Sequence, residues 1–206
     1  MNNSGSIIYI VDDDISVCRA LSLLLKSNGF KVETFKCAAE FLAFKCFKLP
    51  SCLILDIRLP GIDGLAFQEV MKDQGISIPI IFISGYGDIP MSVKAMKAGA
   101  IDFLPKPFTE KKLLNAVTAA ILKSKAQNKE QAEIAKIRRR IKTLSPRELE
   151  VFRLVAKGML SKQIARKRGT ALQTIKVHRG RVMQKMQAKT VTELIRFAQK
   201  TGITSS

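Results

Sequence analysis

Through the first 122 residues, short apolar runs alternate with segments whose apolar residues recur at helical spacing. The runs at 7–11, 31–35, 52–56, 79–84 and 101–104 are rich in Ile, Val and Phe and predict strands. Between them, 16–28, 38–47, 64–73, 91–98 and 109–122 predict helices; in the first, Val17, Leu21, Leu24 and Leu25 form one face. Strands buried on both faces and separated by helices predict an α/β fold: a doubly wound, five-stranded parallel sheet. In such a sheet, reactive groups collect beyond the carboxyl ends of the strands.

The pattern changes after Leu122. From 123 to 143 apolar residues thin and charge rises, ending near Arg138-Arg139-Arg140, which predicts a helical linker with a solvated, charged face. Ser145-Pro146-Arg147-Glu148 then combines an N-cap, a first-turn proline and a capping-box glutamate. Thr190-Val191-Thr192-Glu193 repeats the box. Between these starts, helices at 161–168 and 172–187 flank Gly169-Thr170-Ala171, the signature of a helix-turn-helix. The predicted organisation is an α/β domain over 1–122, a linker over 123–143 and a small all-α domain over 144–206.

Charge separates the same two regions. The formal net charge is +18, yet residues 1–122 hold 13 basic and 12 acidic residues, whereas 123–206 hold the other 22 basic and 5 acidic. A cationic domain beside a near-neutral one points to nucleic acid first and an anionic membrane second. The four cysteines (Cys18, Cys37, Cys46, Cys52) lack CxxC spacing and His178 is the single histidine, which argues against a zinc or Cys/His catalytic site. Buried thiols in a reducing cytoplasm are the expectation. Neither a signal-like start nor an apolar run of roughly 18 residues is present, so a cytoplasmic protein without a membrane partner is expected.

The chemistry sits at the predicted strand ends. Asp12, Asp13 and Asp14 follow the first strand and Asp56 ends the third. Two such carboxylates about 5 Å apart repel by roughly 3 kcal/mol at an effective dielectric near 20, so the cluster needs a counter-charge. Hard Mg²⁺ suits an oxygen-rich site and leaves room for a phosphoryl oxygen. Ser84 ends the fourth strand with a hydroxyl, and Lys106 follows the fifth with an ammonium. Metal, hydroxyl, cation and carboxylate together are what phosphoryl transfer to Asp56 requires. Each residue alone is also compatible with a helix cap or a solvated charge.

Ile10-Val11-Asp12-Asp13-Asp14, Leu55-Asp56-Ile57-Arg58-Leu59-Pro60-Gly61, Ile83-Ser84-Gly85 and Phe103-Leu104-Pro105-Lys106-Pro107-Phe108 resemble the signature blocks of response-regulator receiver domains, which are flavodoxin-like. The resemblance implies that Asp56 accepts phosphate from a sensor histidine kinase. It implies that Asp12 and Asp13 hold Mg²⁺ with Asp56 and the backbone carbonyl of Arg58. Ser84 and Lys106 would contact the phosphoryl oxygens, Phe103 would be the switch aromatic, and Lys106-Pro107 would be cis. Asp14 receives no metal role.

Leu144-Ser145-Pro146-Arg147-Glu148, Lys162-Gln163-Ile164-Ala165 and Thr174-Ile175-Lys176-Val177-His178-Arg179 are similar to the LuxR-type helix-turn-helix, and the whole chain resembles the FixJ/NarL group of regulators. The resemblance implies double-stranded DNA as partner: Lys176, Val177 and Gly180 or Arg181 toward bases, Arg179 and Lys162 toward the backbone. It implies a homodimer on phosphorylation, through 190–200 and the surface near 91–104, with RNA polymerase a further candidate partner. The chain would not be an enzyme beyond slow self-catalysed phosphorylation and dephosphorylation. Ile175, Val182, Met183 and Met186 are expected to face inward.

The turn departs from the family. Where relatives usually carry Leu-Gly-Ile-Ser, this chain has Arg168-Gly169-Thr170-Ala171, so two apolar positions and an N-cap hydroxyl are lost. Such a cap is worth about 1 kcal/mol, which predicts a less stable DNA-binding domain with greater reliance on phosphate contacts. Two other readings stand beside the regulator. One is a Mg²⁺-dependent phosphatase or phosphotransferase working through an aspartyl-phosphate, against which stands the lack of an obvious substrate-cap domain. The other is a regulator acting through protein contacts alone.

Overall fold

The computed structural model describes residues 5–44, 47–85 and 89–203, and the chain divides into two compact units, Met1–Asn128 and Lys129–Ser206. In the first, five strands alternate with helices: β1 (Ile7–Val11), α1 (Ile15–Ser27), β2 (Lys31–Phe35), α2 (Ala38–Ala43), β3 (Ser51–Asp56), a short hairpin of β4 (Arg58–Leu59) and β5 (Ile62–Asp63), α3 (Gly64–Asp73), β6 (Ile80–Ser84), α4 (Ile89–Lys97), β7 (Asp102–Pro105) and α5 (Glu110–Ile141). The main sheet is parallel in the order β2-β1-β3-β6-β7, the doubly wound arrangement the alternation predicts.

Period-two alternation sends each strand's side chains into two cores. Ile7, Tyr9, Val11, Leu53, Leu55 and Phe82 pack on one face with Phe41 of α2 and Phe67 and Met71 of α3. Ile8, Ile10, Ile54, Ile81 and Ile83 pack on the other with Leu21 and Leu25 of α1 and Leu113, Val117 and Ile121 of α5. β1, β3 and β6 are buried along their whole length. The expectation of double-sided burial fails for β2, which is mostly exposed because it lies at the sheet edge. α2 is also shorter than the predicted 38–47, ending at Ala43, where Phe44 turns to extended backbone.

Tyr9 anchors the ring cluster under β2 and α2: it stands edge-on to Phe41 at 6.0 Å and to Phe47 at 5.5 Å, and its hydroxyl accepts a bond from the Lys48 amide. Of the thiols, Cys18 and Cys52 are buried as expected and Cys37 is half-exposed; Cys46 lies outside the described residues.

The second unit takes the end of α5 and adds α6 (Pro146–Ala156), α7 (Ser161–Arg168), α8 (Leu172–Met186) and α9 (Val191–Thr201). The 123–143 segment is not wholly solvated. Ile137 is 1% exposed and joins Phe152, Ile164, Ile175, Val182, Leu194 and Phe197 in the core of this unit, with Ile141 packed against it. Burying one such side chain stabilises by about 1.5–3 kcal/mol, enough to hold a largely polar helix in place. Ile175, Val182 and Met186 are buried as predicted, while Met183 is only partly so.

The Ser145 capping box forms in both directions: Ser145 N donates to Glu148 Oε2 at 2.8 Å and Glu148 N to Ser145 Oγ at 3.3 Å. At α9 the Thr190 hydroxyl accepts from Glu193 N, but the Glu193 carboxylate accepts from Lys189 N. Among the described residues, no helix is long and apolar enough to cross a membrane.

Candidate functional site

Asp12 follows β1 and Asp56 ends β3, and these strands pair in parallel at the centre of the sheet, so their carboxyl ends meet at one edge. Lys106, after β7, reaches both: its Nζ lies 2.9 Å from Asp12 Oδ2 and 3.0 Å from Asp56 Oδ1. Asp12 and Asp56 are buried, with Asp56 only 7% exposed. The backbone fixes the carboxylates further. Arg58 N donates to Asp56 Oδ2 at 2.9 Å, and Asp14 N donates to Asp12 Oδ1 at 2.9 Å. Ser84 is buried at the end of β6, and its carbonyl accepts from Lys106 N at 2.6 Å. Lys106-Pro107 is cis, as expected, and so is Leu49-Pro50.

Gly64 makes room for this arrangement. A Cβ there would stand 3.0 Å from the Asp56 carbonyl oxygen and 3.0 Å from Ile57 Cα, so only glycine lets α3 begin this close to the site. Asp13 is exposed, whereas Asp12 beside it is buried. Asp14 is a helix cap: its carboxylate accepts from Ser16 N at 2.7 Å and Val17 N at 3.4 Å. Its place before the first helical residues was the available signal for that role. Phe103 is half-buried on β7 and packs against the Tyr9 core.

Burial is the main force on the Asp56 carboxyl and pushes it above its ordinary range; the Lys106 hydrogen bond pulls it back and the Asp12 charge adds to the rise. For Lys106, burial works to lower the ammonium, but hydrogen bonds to Asp12 and Asp56 outweigh it and hold the group above its usual value. Burial likewise raises the Cys18 thiol, with help from Asp12 and Asp14. Cys18 Sγ donates to the Asp12 carbonyl at 3.4 Å.

The described residues contain no group of three or more His, Cys, Asp or Glu side chains arranged to hold a metal. The donor set is nonetheless that of a hard cation: two buried carboxylates sharing one ammonium, with the exposed Asp13 next in sequence to one of them. Mg²⁺ keeps several waters and needs only one or two protein carboxylates, so these residues fit it.

The second candidate surface is α8. Lys176, Val177, Gly180 and Arg181 are exposed on it, Val177 by 44%, and Lys162 is exposed on α7. Arg179 is half-buried, and its guanidinium donates to Ser161 Oγ at 3.1 Å, tying α8 to the start of α7. Lys185 turns inward to Glu148 Oε2 at 2.6 Å and to the Thr143 carbonyl at 3.1 Å. That pair, and the bond from Arg168 to Glu150, join different helices and follow no helical period. Gly169 ends α7 in the left-handed region with φ 57°, where the missing Cβ is needed, while Ala171 starts α8 without a side-chain cap. The apolar face of α9, Leu194, Phe197 and Ala198, is consumed by the core of its own unit.

Comparison with known proteins gives both halves a family. The response regulator receiver domain matches residues 8–118, and the luxR family of bacterial regulatory proteins matches 142–198. The chain is 45% identical over 204 residues to Nodulation protein W of Bradyrhizobium diazoefficiens, covering 99% of this chain and 90% of that protein. It is 39% identical over 196 residues to the Transcriptional regulatory protein FixJ of the same organism, covering 95% and 96%. Among solved structures, that of the response regulator StyR is 41% identical with a TM-score of 0.79, covering 96% of this chain and 100% of that one. This chain is a two-component response regulator of the FixJ/NarL group, a receiver domain joined to a LuxR-type helix-turn-helix DNA-binding domain that regulates transcription.

Proposed function

We propose that a sensor histidine kinase phosphorylates Asp56 and that the modification controls dimerisation and sequence-specific binding to double-stranded DNA. The observation that carries this reading is the convergence of Asp12 and Asp56 on Lys106, beside the buried Ser84. Asp56 is the one of these carboxylates that ends a strand, and its Oδ1 already accepts from a cation. In the phosphorylated state Lys106 and the Ser84 hydroxyl neutralise and anchor the phosphoryl oxygens, and Phe103 changes position with them. Asp12, Asp13, Asp56 and the Arg58 carbonyl would hold Mg²⁺, which would supply charge neutralisation for the transfer. The chain turns over no external substrate; its own chemistry is slow gain and loss of the aspartyl phosphate.

The receiver surface supports a partner copy. Val93 and Met96 on α4 are 44% and 46% exposed, and apolar side chains of that size in water favour association. Dimerisation places two copies of α8 about one DNA turn apart. Lys176, Val177 and Gly180 or Arg181 then read bases, while Lys162 and Arg179 position the backbone. α9, with Thr192, Arg196 and Gln199 facing solvent, offers a polar contact to the second copy. The protein acts in the cytoplasm, and RNA polymerase is a further contact at the promoter.

The test is a comparison of the wild-type chain with Asp56→Asn, each with and without a small phosphodonor and Mg²⁺, scored for oligomeric state and for duplex binding. The reading expects the donor to change both properties of the wild type and neither of the variant. A variant that still responds to the donor overturns it.

A further inference from the structure

Beside α8 lies a cleft of about 340 Å³ that the proposed base contacts do not use. Its polar lining comes from three places: Arg147 and Glu150 on α6, Arg168 at the end of α7 with Thr170 in the turn after it, and Thr174 and His178 on α8. The buried Val151 and Ile175 complete the wall. Glu150 Oε2 accepts from Arg168 and lies 3.9 Å from Arg147 NH1, so one carboxylate faces two guanidinium groups and the lining keeps a net positive charge. A guanidinium has five N–H donors, and the contact with Glu150 leaves most of those on Arg168 available.

Two further features belong to the polar lining. His178 Nδ1 is buried without a hydrogen-bond partner among the described residues, a costly state for a ring nitrogen at the wall of the cleft. Thr170 and Thr174 are exposed and add two hydroxyl donors. Guanidinium forks and hydroxyls are a donor set that recognises a tetrahedral oxyanion.

We propose that this cleft is a phosphate-binding subsite, built by Arg168 and Thr170 together with Arg147 and Thr174. The ligand is a phosphate group, and a DNA phosphodiester and a free phosphate share its chemistry. In the first case the inference rests on the DNA-binding reading and deepens it: the turn grips the backbone on one flank of α8 while Lys176 and Val177 read bases. Glu150 holds Arg168 in the cleft, so part of the ordering cost is met before the phosphate arrives.

The test uses the full chain and a duplex selected from random sequence by the wild type. Affinity is measured against salt for the wild type, Arg168→Leu and Arg168→Lys. Arg168→Leu is expected to reduce the slope of log affinity against log salt by about 1, roughly a tenfold loss at 0.1 M salt relative to 1 M, and Arg168→Lys to retain most of it. Should Arg168→Leu fail to fold, Thr170→Val and Arg168→Gln serve in its place, with affinity as the readout. His178 is the single histidine, so its ring resonances report on the cleft without assignment of the whole chain. They are expected to shift on adding duplex in the wild type and not in Arg168→Leu. A saturable shift with inorganic phosphate alone, lost in Arg168→Leu while the DNA slope stays unchanged, assigns the site to free phosphate. If neither the slope nor the ring signal depends on Arg168, the subsite is refuted. A wild type that selects no duplex refutes the DNA reading instead, and the inorganic phosphate titration then decides the cleft alone.

Discussion

Lys106 donates to Asp56 Oδ1 over 3.0 Å, and this contact links the edge strand β7 to the central strand β3, a link that the pocket depends on. Asp56 ends β3 and Lys106 follows β7, 50 residues later. The same ammonium bonds Asp12, so a single cation offsets two buried carboxylates. Taking it away leaves like charges facing each other in a poorly solvated site.

Lys106→Met therefore slows uptake of phosphate by Asp56 from a small phosphodonor by about 100-fold, the usual cost of losing one preorganised charge-stabilising group. Quantifying the aspartyl phosphate over time checks this. An unchanged rate would show that Lys106 neutralises the resting site only and takes no part in transfer.

The raised Asp56 carboxyl gives a pH prediction whose sign follows from linkage. The folded chain prefers Asp56 protonated, chiefly because it is buried. That preference stabilises below the ordinary value of 3.8 and is lost as pH rises, so at pH 7 the ionised group is a cost. Asp56→Asn is expected to raise the unfolding temperature of the receiver at pH 7 in the absence of Mg²⁺, and the advantage to disappear below pH 3.8. Parallel melting curves at acid and neutral pH measure it.

Glu148 gives the opposite sign. The Lys185 hydrogen bond, with the Ser145 amide behind it, holds this buried carboxyl below its ordinary 4.5. Its contribution to stability is present above pH 4.5 and lost as pH falls through the lowered value. Glu148→Gln keeps an acceptor for the capping box but removes the charge opposite Lys185. The expected loss is about 1 kcal/mol at pH 7, fading to zero in acid, read from unfolding of the helix-turn-helix unit. A loss equal at both pH values would mean that packing, and not charge, is what Glu148 supplies.

What could be read from sequence was what local periodicity controls. Ile8 and Ile10 against Ile7, Tyr9 and Val11 already specify a strand with two buried faces, and parallel order then brings Asp12 and Asp56 to one edge. Edge position is a tertiary property, so the exposure of β2 was invisible in Lys31–Phe35. Ile137 stands three residues after Ile134 and four before Ile141, a helical spacing that marked a buried face, but the surrounding Lys and Arg residues masked it. The pairs Lys185–Glu148 and Arg168–Glu150, separated by 37 and 18 residues, join different helices and follow no helical period. The odd turn was legible as an odd turn. That its arginine would be held by Glu150, at the mouth of a polar cleft, was not.

The uncapped start of α8 supplies the last prediction. Ala171 has φ −68° and ψ 142°, the extended backbone an N-cap adopts, yet no side chain accepts from the first-turn amides. A serine here needs no change of backbone, and its hydroxyl can take the Thr174 amide in the way Ser145 takes that of Glu148. Ala171→Ser is therefore expected to stabilise the helix-turn-helix unit by about 1 kcal/mol, which for a domain of this size raises its unfolding temperature by roughly 4–8 °C. The salt slope of DNA binding should stay as in the wild type, because the substitution adds no charge and leaves Arg168 in place. Stabilisation without a change of slope separates the two consequences of the Arg168–Ala171 departure: the missing cap costs stability, and the added arginine makes the phosphate contact. If Ala171→Ser instead weakens DNA binding at unchanged slope, the free amides at the start of α8 are themselves contacts to DNA, and the alanine keeps them open.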